Sequence, residues 1–228
     1  MSVYTIADLH LSLSSDKSME VFSGWNNYIE RLEKNWTKTI NDGDIVIIPG
    51  DISWGMSLEE SKKDFEFLNN LPGKKWIIKG NHDYWWTTKN KINKFFNDNG
   101  FNTLNILHNN HVTAEGYVLC GTRGWMYEVY TDNDIKIVNR EINRLKASLD
   151  SAQNSEGEKI VFFHYPPIYK DIICEEVIDI LIKYGIKKCY FGHIHGSGSA
   201  YAFTGTYKNI KFNLVSCDYT EFFPVKII

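Results

Sequence analysis

Two short segments of the chain place side chains able to hold a cation two residues apart, Asp8-Leu9-His10 and His193-Ile194-His195. Between them in sequence lie Gly50-Asp51, Gly80-Asn81-His82-Asp83 and His164. Carboxylate, amide and imidazole donors without a thiolate suit Mn, Fe or Zn more than copper or an iron-sulfur cluster. One D-x-H or H-x-H would mean little, since an isolated buried histidine is more often a hydrogen-bonded core residue. Here five of the seven histidines fall in these segments, leaving His108 and His111, which read as ordinary loop residues. The seven donors Asp8, His10, Asp51, Asn81, His164, His193 and His195 are too many for one tetrahedral zinc and suit two ions.

Each segment follows a run that reads as a buried strand: Val3 to Ile6, Ile45 to Ile48, Trp76 to Ile78, Ile160 to Phe163 and Lys188 to Phe191. Ligands in α/β sheets sit at the carboxyl ends of strands, so the five turns are expected to converge. In extended backbone residues i and i+2 point the same way, which would aim Asp8 with His10, and His193 with His195, into one cavity. Leu9 and Ile194 would then turn inward as anchors. Glycine before Asp51, Asn81 and His193 removes a side chain where backbone must pass close to the ions.

Helical spacing is expected from Trp25 to Ile40, over Thr88 to Asn97, Ile137 to Ala152 and Cys174 to Tyr184, and after Ser57-Leu58-Glu59-Glu60, which opens a helix as a capping box does. Strands and helices therefore alternate, the pattern of an α/β fold. Ser199 to Tyr207 and Ile210 to Ser216 read as two strands joined near Lys208-Asn209. With strands around Leu104 and Tyr117, they are expected in a second, partly antiparallel sheet.

At 228 residues and 43% hydrophobic content, one core and a single domain over 1–228 are expected. A net charge of -3, with signs mixed along the chain, shows no basic stripe of the kind a nucleic acid polymer requires. Four scattered cysteines without a C-x-x-C pair read as buried free thiols. Asp8 and His10 interrupt the first residues, and no apolar run reaches the roughly 18 residues of a membrane span, so the expected location is cytoplasmic.

The ordered set D-x-H, G-D, G-N-H-D, H and G-H-x-H, from Asp8 to His195, resembles the signature of the calcineurin-like metallophosphoesterases. That resemblance implies a four-layer α/β/β/α sandwich with two central mixed β-sheets and a dinuclear centre at one edge. It implies Asp8, His10 and His195 on one ion, Asn81, His164 and His193 on the other, and Asp51 bridging them. The implied activity is hydrolysis of a phosphomonoester or phosphodiester in a phosphorylated small molecule or nucleotide, with two divalent or trivalent ions (Mn, Fe or Zn) activating a shared water. His82, next to the ligand Asn81, is then the expected general acid for the leaving oxygen.

The chain departs from the Ser/Thr protein phosphatases of that superfamily, which carry G-D-x-V-D-R-G. Gly50-Asp51-Ile52-Ser53-Trp54-Gly55-Met56 lacks the acid and the arginine, which points away from protein phosphatase activity. Arg123, in the glycine-lined stretch Cys120 to Trp125, is a candidate replacement phosphate contact. Trp54 and Asp83 are further candidates for the substrate pocket, Asp83 also for orienting His82 or capping the next helix. Tyr84, Trp85 and Trp86 are candidate aromatic walls. Two other readings stand beside this one: a catalytically silent scaffold binding a protein partner, which is free to lose ligands that this chain retains, and a nuclease, which needs a basic groove.

Overall fold

The computed structural model describes residues 1–125 and 131–228. In chain order the elements are β1 (Val3–Thr5), α1 (Tyr28–Thr39), β2 (Ile45–Pro49), α2 (Lys62–Asn70), β3 (Lys74–Ile78), α3 (Lys89–Asp98) and β4 (Leu104–Ile106). There follow β5 (His111–Ala114), β6 (Tyr117–Thr122), α4 (Asp132–Ser151), β7 (Glu158–Phe163), β8 (Ile168–Tyr169) and β9 (Ile172–Ile173). The chain ends with α5 (Glu175–Lys183), β10 (Lys188–Phe191), β11 (Gly205–Tyr207), β12 (Ile210–Leu214) and β13 (Val225–Lys226).

Period-two alternation along the buried strands creates the layers. In β2, Ile45 and Ile47 enter an apolar cluster shared with Ile160 and Phe162 of β7, so this cluster is the seam between two sheets. The intervening Val46 and Ile48 face the other way, onto Leu32 and Trp36 of α1, Phe65 of α2 and Ile92 of α3. Val161 and Phe163 of β7 likewise turn outward onto Leu145 and Leu149 of α4 and Val177 and Leu181 of α5. Strands apolar on both faces are what a sheet covered on both sides requires. The result is the expected α/β/β/α sandwich.

The first sheet runs β13-β1-β2-β3-β4 with β13 antiparallel, and the second runs β11-β12-β10-β7-β6-β5 with both edge strands antiparallel. Apart from these three pairings every neighbouring pair in these sheets is parallel, so the carboxyl ends of the parallel strands share an edge within each sheet. Past β1 and β12 the two sheets are stitched together: Ala7 N–H donates to Val215 O at 2.8 Å and Cys217 N–H to Ala7 O at 2.9 Å. This brings the carboxyl edges of both sheets to one place.

Several local expectations are corrected. β4, at Leu104, pairs parallel with β3 in the first sheet and is not part of the second. Gly196–Tyr201 forms a short 3-10 turn where a strand from Ser199 was expected; Ser199 Oγ donates back to Gly196 O at 2.6 Å, a local bond that competes with strand pairing. The tail hairpin itself turns at Lys208 and Asn209, both with positive φ. α1 begins at Tyr28, not Trp25, and α4 begins at Asp132, not Ile137, under a capping box formed by Thr131 and Asp134. Ser57 Oγ accepts from Glu60 N–H at 3.2 Å, but the Glu60 carboxylate goes to Met56 N–H, and regular α-helix starts only at Lys62. His111 belongs to strand β5 and bonds Ser151 and Ser155, while His108 does lie in a loop. The four thiols are buried and free. Among the described residues no helix is long and apolar enough to cross a membrane.

Candidate metal centre

The seven sequence-selected donors all come from the turns at the shared edge of the two sheets. Asp8, His10 and His195 form one group whose donor atoms lie within 4.8 Å of one another, and Asp51, His164 and His193 form a second. Within the first, His10 Nε2 and His195 Nε2 are 3.2 Å apart. Asn81 joins the second group through its Oδ1, 2.6 Å from His164 Nε2. Asp51 faces both: its Oδ2 is 3.7 Å from His10 Nε2 and 3.6 Å from His164 Nε2.

At four of these donors the backbone is not extended, whereas His195 is extended. Asp8, His10, Asp51 and His193 have φ of 61°, 45°, 54° and 72°. The alternation argument for D-x-H and H-x-H is therefore corrected: left-handed turns, not strand pleating, set the directions. Such conformations cost an L-residue roughly 1 kcal/mol or more each and persist because surrounding structure holds them. Leu9 and Ile194 are buried as expected. His193 N–H donates to both oxygens of Asp8, and Asp8 N–H to Gly50 O, so one ligand turn braces the next. The glycines clear room for ligand side chains: a Cβ on Gly80 would lie 2.1 Å from Asp51 Oδ1, and one on Gly192 would lie 2.6 Å from Asp8 Oδ2.

The electrostatics fit a cation. Burial, reinforced by the charge of Asp8, pushes Asp51 up to about 8. Burial acts on Asp8 in the same direction, yet the charged His195 ring outweighs it and holds that carboxyl well below the usual range. His195 is raised to about 10 against its own desolvation, by Asp8 and then by Asp218. His193 falls to about 3, from burial first and His164 second. Two buried carboxylates crowded against imidazoles is the charge pattern that a bound metal ion neutralises.

A family model described as calcineurin-like phosphoesterase matches residues 1–197. The chain belongs to this family. An uncharacterised protein of Methanocaldococcus jannaschii is 34% identical over 83 residues, which are 36% of this chain and 46% of that one, so the match spans less than half of the relative. Among solved structures, a protein of unknown function from Aquifex aeolicus shares 15% identity at a TM-score of 0.51, over 99% of this chain and 95% of its own. A phosphopantetheinyl hydrolase from Mycobacterium tuberculosis shares 12% identity at a TM-score of 0.58, over 100% and 95%. At these identities the structural likeness concerns the fold. The chain's family is that of the calcineurin-like phosphoesterases, and the chain carries two candidate groups of metal ligands.

Around the ligands of this phosphoesterase lies a set of orienting groups, one of which sequence reasoning missed. His195 Nδ1 is 3.0 Å from Asp218 Oδ1, whose Oδ2 accepts Gly196 N–H at 2.8 Å. His164 Nδ1 faces Pro49 O at 3.0 Å, and Tyr28 donates to His10 O at 2.9 Å. Asp218 and Pro49 O, as partners of one ring nitrogen, leave the other free as a ligand and fix its direction, while Tyr28 holds the main chain of His10. Asp218 does carry a faint signal, since it follows β12 as the ligands follow their own strands. Replacing it with alanine is expected to lower metal affinity by about 10–100-fold, read by competition with a chelating dye; unchanged affinity would remove it from this role.

The substrate candidates divide. Trp54 stacks on His10, with ring centroids 4.9 Å apart, and tilts against His82 at 4.5 Å, so it walls the centre. Its loop is pinned from below, where Ser53 donates to Asp64 at 2.5 Å and accepts from Gly55 N–H. Asp83 is corrected: it is 1% exposed, and its carboxylate accepts from the N–H groups of Gly80, Asp51 and Ile52 and from Trp85 Nε1. It latches two ligand turns together instead of facing substrate or orienting His82, and the next helix is capped by Thr88. Arg123 turns toward Glu141, at 3.5 Å, and lies over the Trp125 ring. Tyr84 is exposed, Trp85 is core, and Trp86 packs beside it.

Proposed function

We propose that the protein is a dinuclear metal-dependent phosphohydrolase acting on a phosphomonoester or phosphodiester of a small molecule. The observation that carries this reading is the position of Asp51 Oδ2, 3.7 Å from a histidine of one ligand group and 3.6 Å from a histidine of the other. One carboxylate placed between two groups of donors suits a pair of ions. Asp8, His10 and His195 would hold the first, and Asn81, His164 and His193 the second. Bound there, two ions supply an activated water and a clamp for the phosphoryl oxygens.

His82 is the proton donor to the leaving oxygen. Its N–H donates to Asp51 Oδ1 at 2.8 Å, which ties its position to the bridging carboxylate. Its ring lies between Trp54 and Tyr84, with Nδ1 3.3 Å from the Tyr84 hydroxyl. The acid that partners this histidine in protein phosphatases of the superfamily is missing from Gly50-Asp51-Ile52-Ser53-Trp54, and a phenol oxygen accepting from Nδ1–H takes over the alignment. A small substrate fits this aromatic wall better than a protein, since Trp54 and Gly55 stand where the protein phosphatases carry acid and arginine.

Chelation followed by reloading with Mn, Fe or Zn tests the reading. Turnover of p-nitrophenyl phosphate or its bis ester is expected to vanish on chelation and return as occupancy approaches two ions per chain. Full occupancy with no turnover of either ester would favour the silent scaffold.

A further inference from the structure

Helix α4 carries Lys136, Arg140 and Arg144 at four-residue spacing, hence on one face. With Asn109, Asn139 and Asn143 they line a groove of about 520 Å³, and no acidic side chain lines it among the described residues. The groove connects to the metal centre through a short chain of contacts. Arg144 and Arg123 share one oxygen, Glu141 Oε1, at 2.5 and 3.5 Å. The main-chain oxygen of Arg123 in turn accepts from the N–H of the ligand His164 at 3.1 Å. His108 is pushed down to about 4 by burial, then by Arg144, Lys89 and Lys79.

A chain of net charge -3 thus gathers Lys136, Arg140 and Arg144 along one groove of α4, with the buried Glu141 holding Arg144 and Arg123. Like charges held together are relieved by an anion, and guanidinium groups bind phosphate through paired hydrogen bonds. We propose that this groove is a second anion subsite, which holds a phosphate borne elsewhere on the molecule whose phosphoester is cleaved at the metal centre. The assignment rests on the phosphohydrolase reading above. Sequence order hid this stripe, because its members alternate with acidic and neutral residues.

Calorimetric titration of the manganese-loaded chain with α,ω-alkanediol bisphosphates of increasing length, each beside the monophosphate of the same chain, tests it. At a matching length the bisphosphate is expected to bind about ten-fold tighter than its monophosphate, with the gain shrinking as salt rises. Lys136→Gln with Arg140→Gln should abolish the gain; both residues are exposed on α4, so the fold should tolerate the change. Arg140→Lys alone should retain part of it. Equal affinities at every length, or a gain that survives the double substitution, would overturn the subsite while leaving the hydrolase reading intact. A gain without turnover of any ester would keep the subsite and sink the hydrolase reading. Tighter binding of a single-stranded oligonucleotide than of every bisphosphate would overturn the small-molecule assignment.

Discussion

Asp51→Asn is expected to reduce bound metal from two ions to at most one per chain and to lower turnover by about 10³-fold or more. The reason is geometric. Asp51 Oδ2 faces the Nε2 atoms of His10 and His164 at 3.7 and 3.6 Å, so it reaches both ligand groups, while Oδ1 accepts from His82 N–H. An amide there loses the negative charge that compensates two cations, and stabilisation of phosphoryl charge by such ions is worth several kcal/mol, about a factor of ten for each 1.4 kcal/mol. The fold should survive, since asparagine is nearly isosteric and tolerates the φ of 54° at this position. Elemental analysis beside steady-state kinetics checks it. Two ions and near-normal turnover in the variant would show that Asp51 is not a bridge.

His82→Ala should behave differently, keeping its metal and losing turnover by about 10²–10⁴-fold. His82 stands outside both donor groups, so its removal takes away no ligand. The loss should be larger for an alkyl phosphoester than for a p-nitrophenyl ester, because the alkoxide needs a proton to depart and the nitrophenolate does not. Tyr84→Phe should show the same leaving-group dependence at smaller amplitude, since it removes the oxygen 3.3 Å from Nδ1 but leaves the acid in place. Undiminished turnover by metal-loaded His82→Ala on an alkyl substrate would end the assignment.

The two variants separate holding the ions from moving the proton, two roles that adjoin one another in this chain. Asp51 and His82 are connected by a single hydrogen bond of 2.8 Å, and Asp83 directly follows, tying the Asp51 and Gly80 turns together through three backbone N–H groups. Substitutions at Asp83 would therefore disturb ligands and acid together, and are poor probes of either.

Much of the fold and most of the centre were legible in the linear chain because they depend on local signals. Buried strands show as short β-branched runs, and each ligand turn follows its run directly, as Asp51 follows Ile45–Pro49. Where a segment was misjudged, a nearby bond or a remote neighbour decided it: Ser199 bonds back to Gly196, and β4 finds its partner in β3. The direction of the ligands was expected for the wrong reason. Left-handed backbone at Asp8, His10, Asp51 and His193 is imposed by contacts such as His193 N–H to Asp8, between residues at opposite ends of the chain.

The order and identity of the donors, Asp8 to His195, are properties of the sequence by itself, and they were sufficient for the family and for the candidate donors that the fold brings together. Which donors share a group, the inward role of Asp83, the support from Asp218 and the cationic groove of α4 belong to tertiary structure. They arise where segments distant in sequence approach within hydrogen-bonding distance or electrostatic reach, as Arg123 and Arg144 do on Glu141. Periodicity and turn chemistry report a residue's own neighbourhood, and only the packing of two sheets at one edge determines whose neighbour it becomes.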